Sequence, residues 1–213
     1  MAEPLQLPRG FRHLGRFGDD HPVRARLRDY GFDPITLGRE FGVGFCASSH
    51  EPLARDRVVA PVSQGGKFAG WIAARFAEGG LNFLSAPGMR AGEGIYNLDR
   101  AREYPAAVVV PSPDWVWRLG GPSVAALTAP ATERFARTLR SVFREKHIVF
   151  ITPAGCEEDE SLAERLFASL GAAFTPVCLP RSFENAGRKE LRRAVRAAAA
   201  AQGVTVKFKS PTP

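Results

Sequence analysis

Cysteine is scarce in this chain, with three residues among 213. Cys46, Cys156 and Cys178 lie far apart, are odd in number, and form neither a C-x-x-C pair nor a pair with histidine at ligand spacing. A disulfide framework and a zinc ribbon are therefore both excluded as organising devices. Histidine is equally sparse: His13 and His21 fall in a polar leader, His50 in a loop and His147 at the start of a strand, where surface or structural roles suffice. No run of about 18 apolar residues exists, which excludes a helical membrane span, and the opening "MAEPLQLPRGFRHLGRFG" has no apolar core of a secretory signal. A cytoplasmic protein is expected. No internal repeat is present.

What the chain does have is a normal apolar share, 45%, and an excess of basic over acidic residues, 29 to 22. The first is enough for a well-packed core. The second, a net +7, permits a polyanionic partner through phosphate contacts, although a modest surplus also serves solubility alone.

Periodicity divides the chain in three. Residues 1–21 mix Pro, Gly, Arg and Asp without period and read as a flexible leader. Residues 22–104 read as a small α+β unit: short helices in "PVRARLRDYG" and "PITLGREFG", then a β-hairpin of "RVVAPV" and "KFAGWIAARF" around "SQGG", with "LNFLSA" as a third strand. Residues 105–209 alternate strand and helix. "AAVVV" is followed by a helical stretch around Trp115, then strand "SVAAL", a helix from about Pro130 to Lys146, and strand "HIVFI". A helix over "SLAERLFASLG" with Leu162, Leu166 and Leu170 at four-residue steps and Gly171 as its stop leads to strand "TPVCL"; a last helix, Arg188 to Gln202, leads to a strand "VTVKF". Such alternation predicts a mostly parallel sheet covered on both faces, whose ligand sites lie beyond the carboxyl ends of the strands. At that position after "AAVVV" stand Pro111, Ser112 and Pro113, none of which titrates.

The order of "RDYGFDPITLGREFGVGF", "RVVAPVSQGGKFAGWIAARF", "LNFLSAPGMRAGEGIYNLDRA", "AAVVVPSPDWVWRLGGPSVAALTAPATERFARTLRS", "HIVFITPAGCEEDESLAERL" and "PVCLPRSFENAGRKELRRAV" resembles the catalytic core of bacterial and phage DNA primases over roughly residues 25–196. The resemblance implies an α/β fold: a Toprim-like, mostly parallel sheet with helices on both faces, preceded by a small α+β primase-type subdomain. No zinc-binding domain is expected ahead of it. Toprim chemistry needs a Glu after the first strand and an Asp-x-Asp after a later one, oxygen ligands that gather magnesium. The Glu position falls here on Pro111 and the Gly after it on Ser112; the Asp four residues beyond the Glu falls on Trp115, with Asp114 one place off. The Asp-Gly-Asp falls on Ala154, Gly155 and Cys156. Neither Pro nor Ala ligates a cation and a thiol is a poor magnesium ligand, so the resemblance implies a degenerate Toprim site with no catalytic residue, metal or cofactor. The alternative is a divergent active primase or nucleotidyltransferase, with magnesium, that draws on the displaced carboxylates Glu157, Glu158, Asp159 and Glu160 of "CEEDE". Acidic residues opening a helix also need no role beyond favouring its dipole.

The resemblance further implies a groove for nucleic acid lined from the first subdomain, whose matching positions hold Arg57, Lys67, Arg75, Asn82 and Arg90, while a basic position beyond them is Ala91. Guanidinium forks suit phosphate oxygens, and amides reach sugar or base. On the last helix Arg188, Arg192 and Arg196 recur every four residues beside Lys189 and Arg193, a second basic stripe that Lys207 and Lys209 extend. Trp115 and Trp117 either stack on bases or fill the room of the missing metal site. The reading is thus a catalytically degenerate primase-like protein that binds single-stranded DNA or RNA, or a replication protein such as a helicase, and no membrane. A protein scaffold that no longer touches nucleic acid is the third class.

Overall fold

Prolines and glycines set the first elements. A computed structural model of the chain describes residues 6–77, 80–89, 94–127, 132–144, 146–170, 174–180, 183 and 186–208. Helix α1 (Pro22–Asp29) and helix α2 (Pro34–Phe41) each begin with a proline, whose fixed φ suits the first turn. Asp33 accepts hydrogen bonds from the N–H groups of Ile35 and Thr36, and Gly42, at φ 65°, ends α2 in the left-handed conformation.

The chain folds into two compact units, Met1–Arg90 and Ala91–Pro213. The first carries an antiparallel sheet in the order β1-β2-β3-β4-β5, where β1 is Arg12–His13, β2 Gly44–Cys46, β3 Arg57–Gln64, β4 Lys67–Ala77 and β5 Gly80–Ser85. The strands alternate cleanly. Val59, Trp71 and Ala73 pack on one side with Cys46, Ala54, Ala86 and the partly buried Phe11, Leu53 and Met89. Val58, Ile72 and Ala74 point to the other side, where the Tyr30 ring, just past α1, lies 5.2 Å from that of Phe76.

The second unit carries the order β10-β9-β7-β8-β6, where β6 is Ile95–Tyr96, β7 Ala106–Val110, β8 Ser123–Ala126, β9 His147–Pro153 and β10 Phe174–Leu179. β10, β9, β7 and β8 are parallel to their neighbours and β6 is antiparallel to β8. Helices α3 (Leu98–Ala101), α4 (Pro113–Leu119), α5 (Thr132–Val142), α6 (Glu157–Leu170) and α7 (Arg188–Ala201) complete it. One core cluster joins Ala107, Val109, Ile148, Phe150 and Phe174 of the sheet to Leu98, Phe135, Leu139 and Leu166 of α3, α5 and α6. The alternate residues Val108, Val110, Val149, Ile151 and Val177, all buried, face the opposite side. There α4 and α7 are tied together, the Arg192 Nε–H donating to the Leu119 carbonyl at 2.8 Å. The terminal strand β10 contains Pro176, which contributes no N–H.

Three expectations are corrected. Residues 1–21 are not wholly a leader: Arg12 and His13 pair with Phe45 and Gly44, and Leu14 is completely buried, because an apolar side chain at the edge of a short sheet gains more from the core than from water. The boundary between units falls at 90/91 rather than 104/105, since β6 pairs with β8. Residues 204–208 form no strand; they alternate, with Val204, Val206 and Phe208 buried, but run as extended chain packed beside α7. The helix that opens "SLAERL" starts four residues earlier, at Glu157. Pro130 and Gly171 lie outside the described residues. Among the described residues no helix is long and apolar enough to cross a membrane.

Gly44 shows how tightly β1 is held. A Cβ there would lie 2.5 Å from the Arg12 carbonyl oxygen and 2.4 Å from the Phe11 ring. Backbone cannot yield as a side chain can, so Gly44→Ala is expected to destabilise the first unit by about 1–3 kcal/mol, read as a lower denaturation midpoint with an unchanged slope.

Candidate functional site

The strand order places a crevice in the second unit. β7 leads through α4 to β8 on one side, and the chain then crosses to β9 on the other side of β7. α4 and α6 consequently lie on opposite faces of the sheet, and the carboxyl ends of β7 and β9 are adjacent and uncovered by either, which is the switch point where open parallel sheets bind ligands. The two loops read from the sequence, Pro111–Ser112 and Ala154–Cys156, are brought together here by the parallel pairing of β7 with β9.

The first loop is built inward. Ser112 stands at the N-cap of α4 but donates its hydroxyl to Oδ1 of Asp114 rather than accepting from a helix N–H. Asp114 lies one turn before Arg118, which is buried at 7% exposure and donates from Nη1 to the Ala186 carbonyl at 3.4 Å. Burial pushes the Asp114 carboxyl up from its ordinary value, against the pull of Ser112, Arg118 and two backbone N–H groups. Burial likewise lowers Arg118, and Asp114 opposes that shift. Sequence reasoning passed over this Ser112–Asp114–Arg118 chain, although the four-residue spacing of acid and base on a helix signals it. Trp115 and Trp117 are 4% and 3% exposed, so neither ring face is open to a base. The Trp117 indole N–H donates to the Tyr96 hydroxyl at 2.9 Å, and burial raises the pKa of that phenol.

The second loop is tight. The Ala154 N–H donates to the Leu179 carbonyl at 2.8 Å, Gly155 turns at φ 72°, and the Cys156 N–H donates to the Pro153 carbonyl at 3.2 Å. Glu157 is exposed at the start of α6; the side chains of Glu158, Asp159 and Glu160 lie outside the described residues. Among the described residues no three His, Cys, Asp or Glu side chains are gathered as a cation site. A hard divalent ion requires several oxygen ligands. Pro111, Ser112, Ala154, Gly155 and Cys156 bring no carboxylate, and that of Asp114 is taken up by Ser112, so these loops do not fit magnesium.

In the first unit the register gathers three predicted residues. Val58 opposes Ala74 and Arg75 opposes Asn82, so the next rung sets Arg57 opposite Arg75 and forms a row Arg57–Arg75–Asn82 across β3, β4 and β5 on one face. Arg75 and Asn82 are exposed and Arg57 half-exposed. Neither arginine has an acidic partner among the described residues. Lys67 is not part of the row: it sits at the hairpin turn, eight residues along β4 from Arg75, about 25 Å away. Arg90 and Ala91 lie outside the described residues.

On α7 the stripe divides. Lys189 and Arg193 are exposed and Arg188 half-buried. Arg192 spends a donor on Leu119, and the guanidiniums of Arg192 and Arg196 lie 5.1 and 5.2 Å from the Phe208 ring centroid, holding the chain after α7. Lys207 is exposed beside them, and Lys209 lies outside the described residues.

No family model and no curated protein matches the sequence. Solved structures do. The chain superimposes on the zinc-binding and RNA polymerase domains of the Aquifex aeolicus primase with a TM-score of 0.62 at 22% identity, covering 84% of this chain and 56% of that one. A DNA primase domain from Pseudomonas aeruginosa gives a TM-score of 0.66 at 17% identity over 89% and 74% of the two chains. The DnaG catalytic core gives 0.61 at 16% identity over 86% and 73%. The chain thus has the fold of DNA primase catalytic cores, and spans little more than half of the Aquifex chain.

The Asp114 environment has a pH signature. Its carboxyl is raised above the unfolded value of about 3.9, so the stability linked to the protonated group is complete below that value and is lost as pH rises through the folded one. Asp114→Asn keeps an acceptor for Ser112. Its Tm is expected to match that of the native chain near about pH 3 and to exceed it near about pH 7; equal Tm values at both would show that the carboxylate is not desolvated.

Proposed function

We propose that this chain is a primase-like Toprim protein, cytoplasmic, that has lost its metal site and binds single-stranded DNA or RNA through basic surfaces, with no phosphoryl transfer of its own. One observation carries the binding: Arg57 and Arg75 stand directly opposite each other on neighbouring strands. Like charges at that spacing repel, and the pair is relieved by an anion that both guanidiniums can share, such as a phosphate of a strand crossing the sheet. Asn82, next in the row, supplies an amide for sugar or base. The basic excess of the whole chain favours the same partner. Lys189 and Arg193 on α7 form a second, weaker phosphate surface, while Arg188, Arg192 and Arg196 serve chiefly to hold α7 and the chain that follows it. A helicase or another replication protein as partner remains part of this reading.

Degeneracy of the catalytic site is supported by Pro111 and the Ala154–Cys156 turn, which offer no oxygen ligand where the primase pattern has carboxylates. The Ser112–Asp114–Arg118 chain further directs the nearest carboxylate into the protein.

The test has two parts. Binding of a labelled oligothymidylate is followed against salt for the native chain and for Arg57→Ala/Arg75→Ala. The double variant is expected to bind more weakly at low salt and to lose about 0.7 from the slope of log affinity against log salt for each phosphate contact removed. An unchanged slope would sink the assignment of this row. Primer synthesis from ribonucleotides with magnesium is expected to be absent; synthesis that dies with Glu157→Gln or its neighbours would instead establish an active enzyme with displaced carboxylates.

A further inference from the structure

A cavity of about 270 Å³ opens at one end of the first sheet, on the side that carries α1 and opposite the arginine row. Its origin is a gap in the apolar pattern. Phe45 of β2 and Phe76 of β4 flank β3, and their strands are about 10 Å apart. The position between them is Asp56, just before β3, held by its N–H to the Cys46 carbonyl at 2.7 Å and turned to φ 53°. A short, left-handed Asp thus stands where a bulky apolar residue would have closed the face. His21, Val23 and Arg26 form the remaining wall.

The lining is mixed in a way that narrows the ligand. The Arg26 guanidinium lies 4.7 Å from the Phe76 ring centroid and is exposed beyond it. Nδ1 of His21 accepts the Val23 N–H at 3.3 Å, so a neutral imidazole carries its proton on Nε2 and has a donor to offer. The His21 ring is fixed by Phe17, 4.3 Å away, and by Phe45, 6.1 Å away. A hydrocarbon would strand three polar groups. A simple anion would meet the Asp56 carboxylate, and a simple cation would meet Arg26. The volume is slightly below the usual range for ligand pockets, about 300–1,000 Å³, and suits one planar ring system.

Two aromatic faces, a carboxylate, an imidazole donor and a guanidinium together match a nucleotide whose base presents two adjacent N–H groups. Guanine does so at N1 and N2, and a carboxylate accepts both at once, as it does from the fork of an arginine. We propose that this cavity is a guanine-nucleotide site, with the base between Phe45 and Phe76, Asp56 accepting from its N1–H and N2–H groups, and the phosphate on Arg26. The base is either that of a free nucleotide or an unstacked base of a strand. The first does not depend on the groove reading above; the second rests on it.

The full chain is titrated calorimetrically with GMP, IMP, AMP, guanosine and inorganic phosphate, alongside Asp56→Asn and Arg26→Ala. Both side chains are exposed, so each variant is expected to keep the native circular dichroism. GMP is expected to bind at least about tenfold more tightly than IMP, which lacks the N2 group, and than AMP. Asp56→Asn is expected to remove that preference, and Arg26→Ala to weaken GMP while leaving guanosine unaffected. A second arm compares oligothymidylates ending in a single guanine or adenine, on the native chain and on Arg57→Ala/Arg75→Ala. A guanine preference that Asp56→Asn abolishes in the oligonucleotide assigns the strand as source; one confined to GMP assigns the free nucleotide. The double variant lowers both oligonucleotides equally and spares GMP if the arginine row and this cavity are separate sites. GMP and the guanine-ended strand binding no better than their adenine counterparts, or a preference that survives in Asp56→Asn, overturns the proposal.

Discussion

The second unit depends on one strand being buried on both faces and hydrogen-bonded on both edges. Ala106–Val110 has β8 on one side and β9 on the other, and all five of its residues are buried. Each apolar side chain so removed from water is worth roughly 1–3 kcal/mol, but only while helices cover both faces. That requirement sends α4 to one face and α6 to the other, and their divergence opens the crevice at the ends of β7 and β9. The location of the candidate site is thus a by-product of core formation, set before any chemistry is placed there. A chain can keep the crevice for the sake of its core after the side chains at its mouth have changed.

What has changed is where polarity points. The loop after β7 begins with Pro111, which neither ionises nor donates, and its remaining polar groups turn toward the protein: Ser112 to Asp114, Asp114 toward Arg118, Arg118 to the Ala186 carbonyl. A partly desolvated acid and base in such a chain offset one another's burial, and removing either would leave the other uncompensated. The same groups cannot at once serve an ion in the crevice. Unit one carries the opposite arrangement, with Arg75 and Asn82 turned outward from a sheet whose neighbouring positions, Val59 and Ala73, are packed tightly.

Much of the architecture was legible in the sequence because it is periodic. Leu162 and Leu166 at helical spacing, the unbroken "AAVVV" and the hairpin around Gly65 and Gly66 all fall in the elements their patterns imply. Alternation alone misled at Val204–Phe208, because an extended segment against a helix hides every second residue as a strand does, and only a pairing partner separates the two. Two-residue strands such as Arg12–His13 and Ile95–Tyr96 carry no periodicity at all, yet they moved both the start of the first unit and the boundary between units. At the candidate sites, residue type was readable and juxtaposition was not. Arg57 and Arg75 were separate candidates until the register set them face to face, and Phe45, Asp56 and Phe76, drawn from three strands, have no common signature in the linear order. Arg192 and Arg196 looked like part of a ligand stripe because a sequence does not show that Phe208 folds back beneath them.

The proline in the outermost strand bears on how this protein behaves in a crowd. A rim of unpaired backbone invites a stranger's strand to join it. Pro176 interrupts the row of donors along β10, so a visiting chain finds the ladder broken midway and gains too few bonds to stay. The parallel sheet therefore ends within its own molecule, and whatever company this protein keeps must be recruited by side chains, whose chemistry is selective, instead of by backbone, whose chemistry is common to every polypeptide.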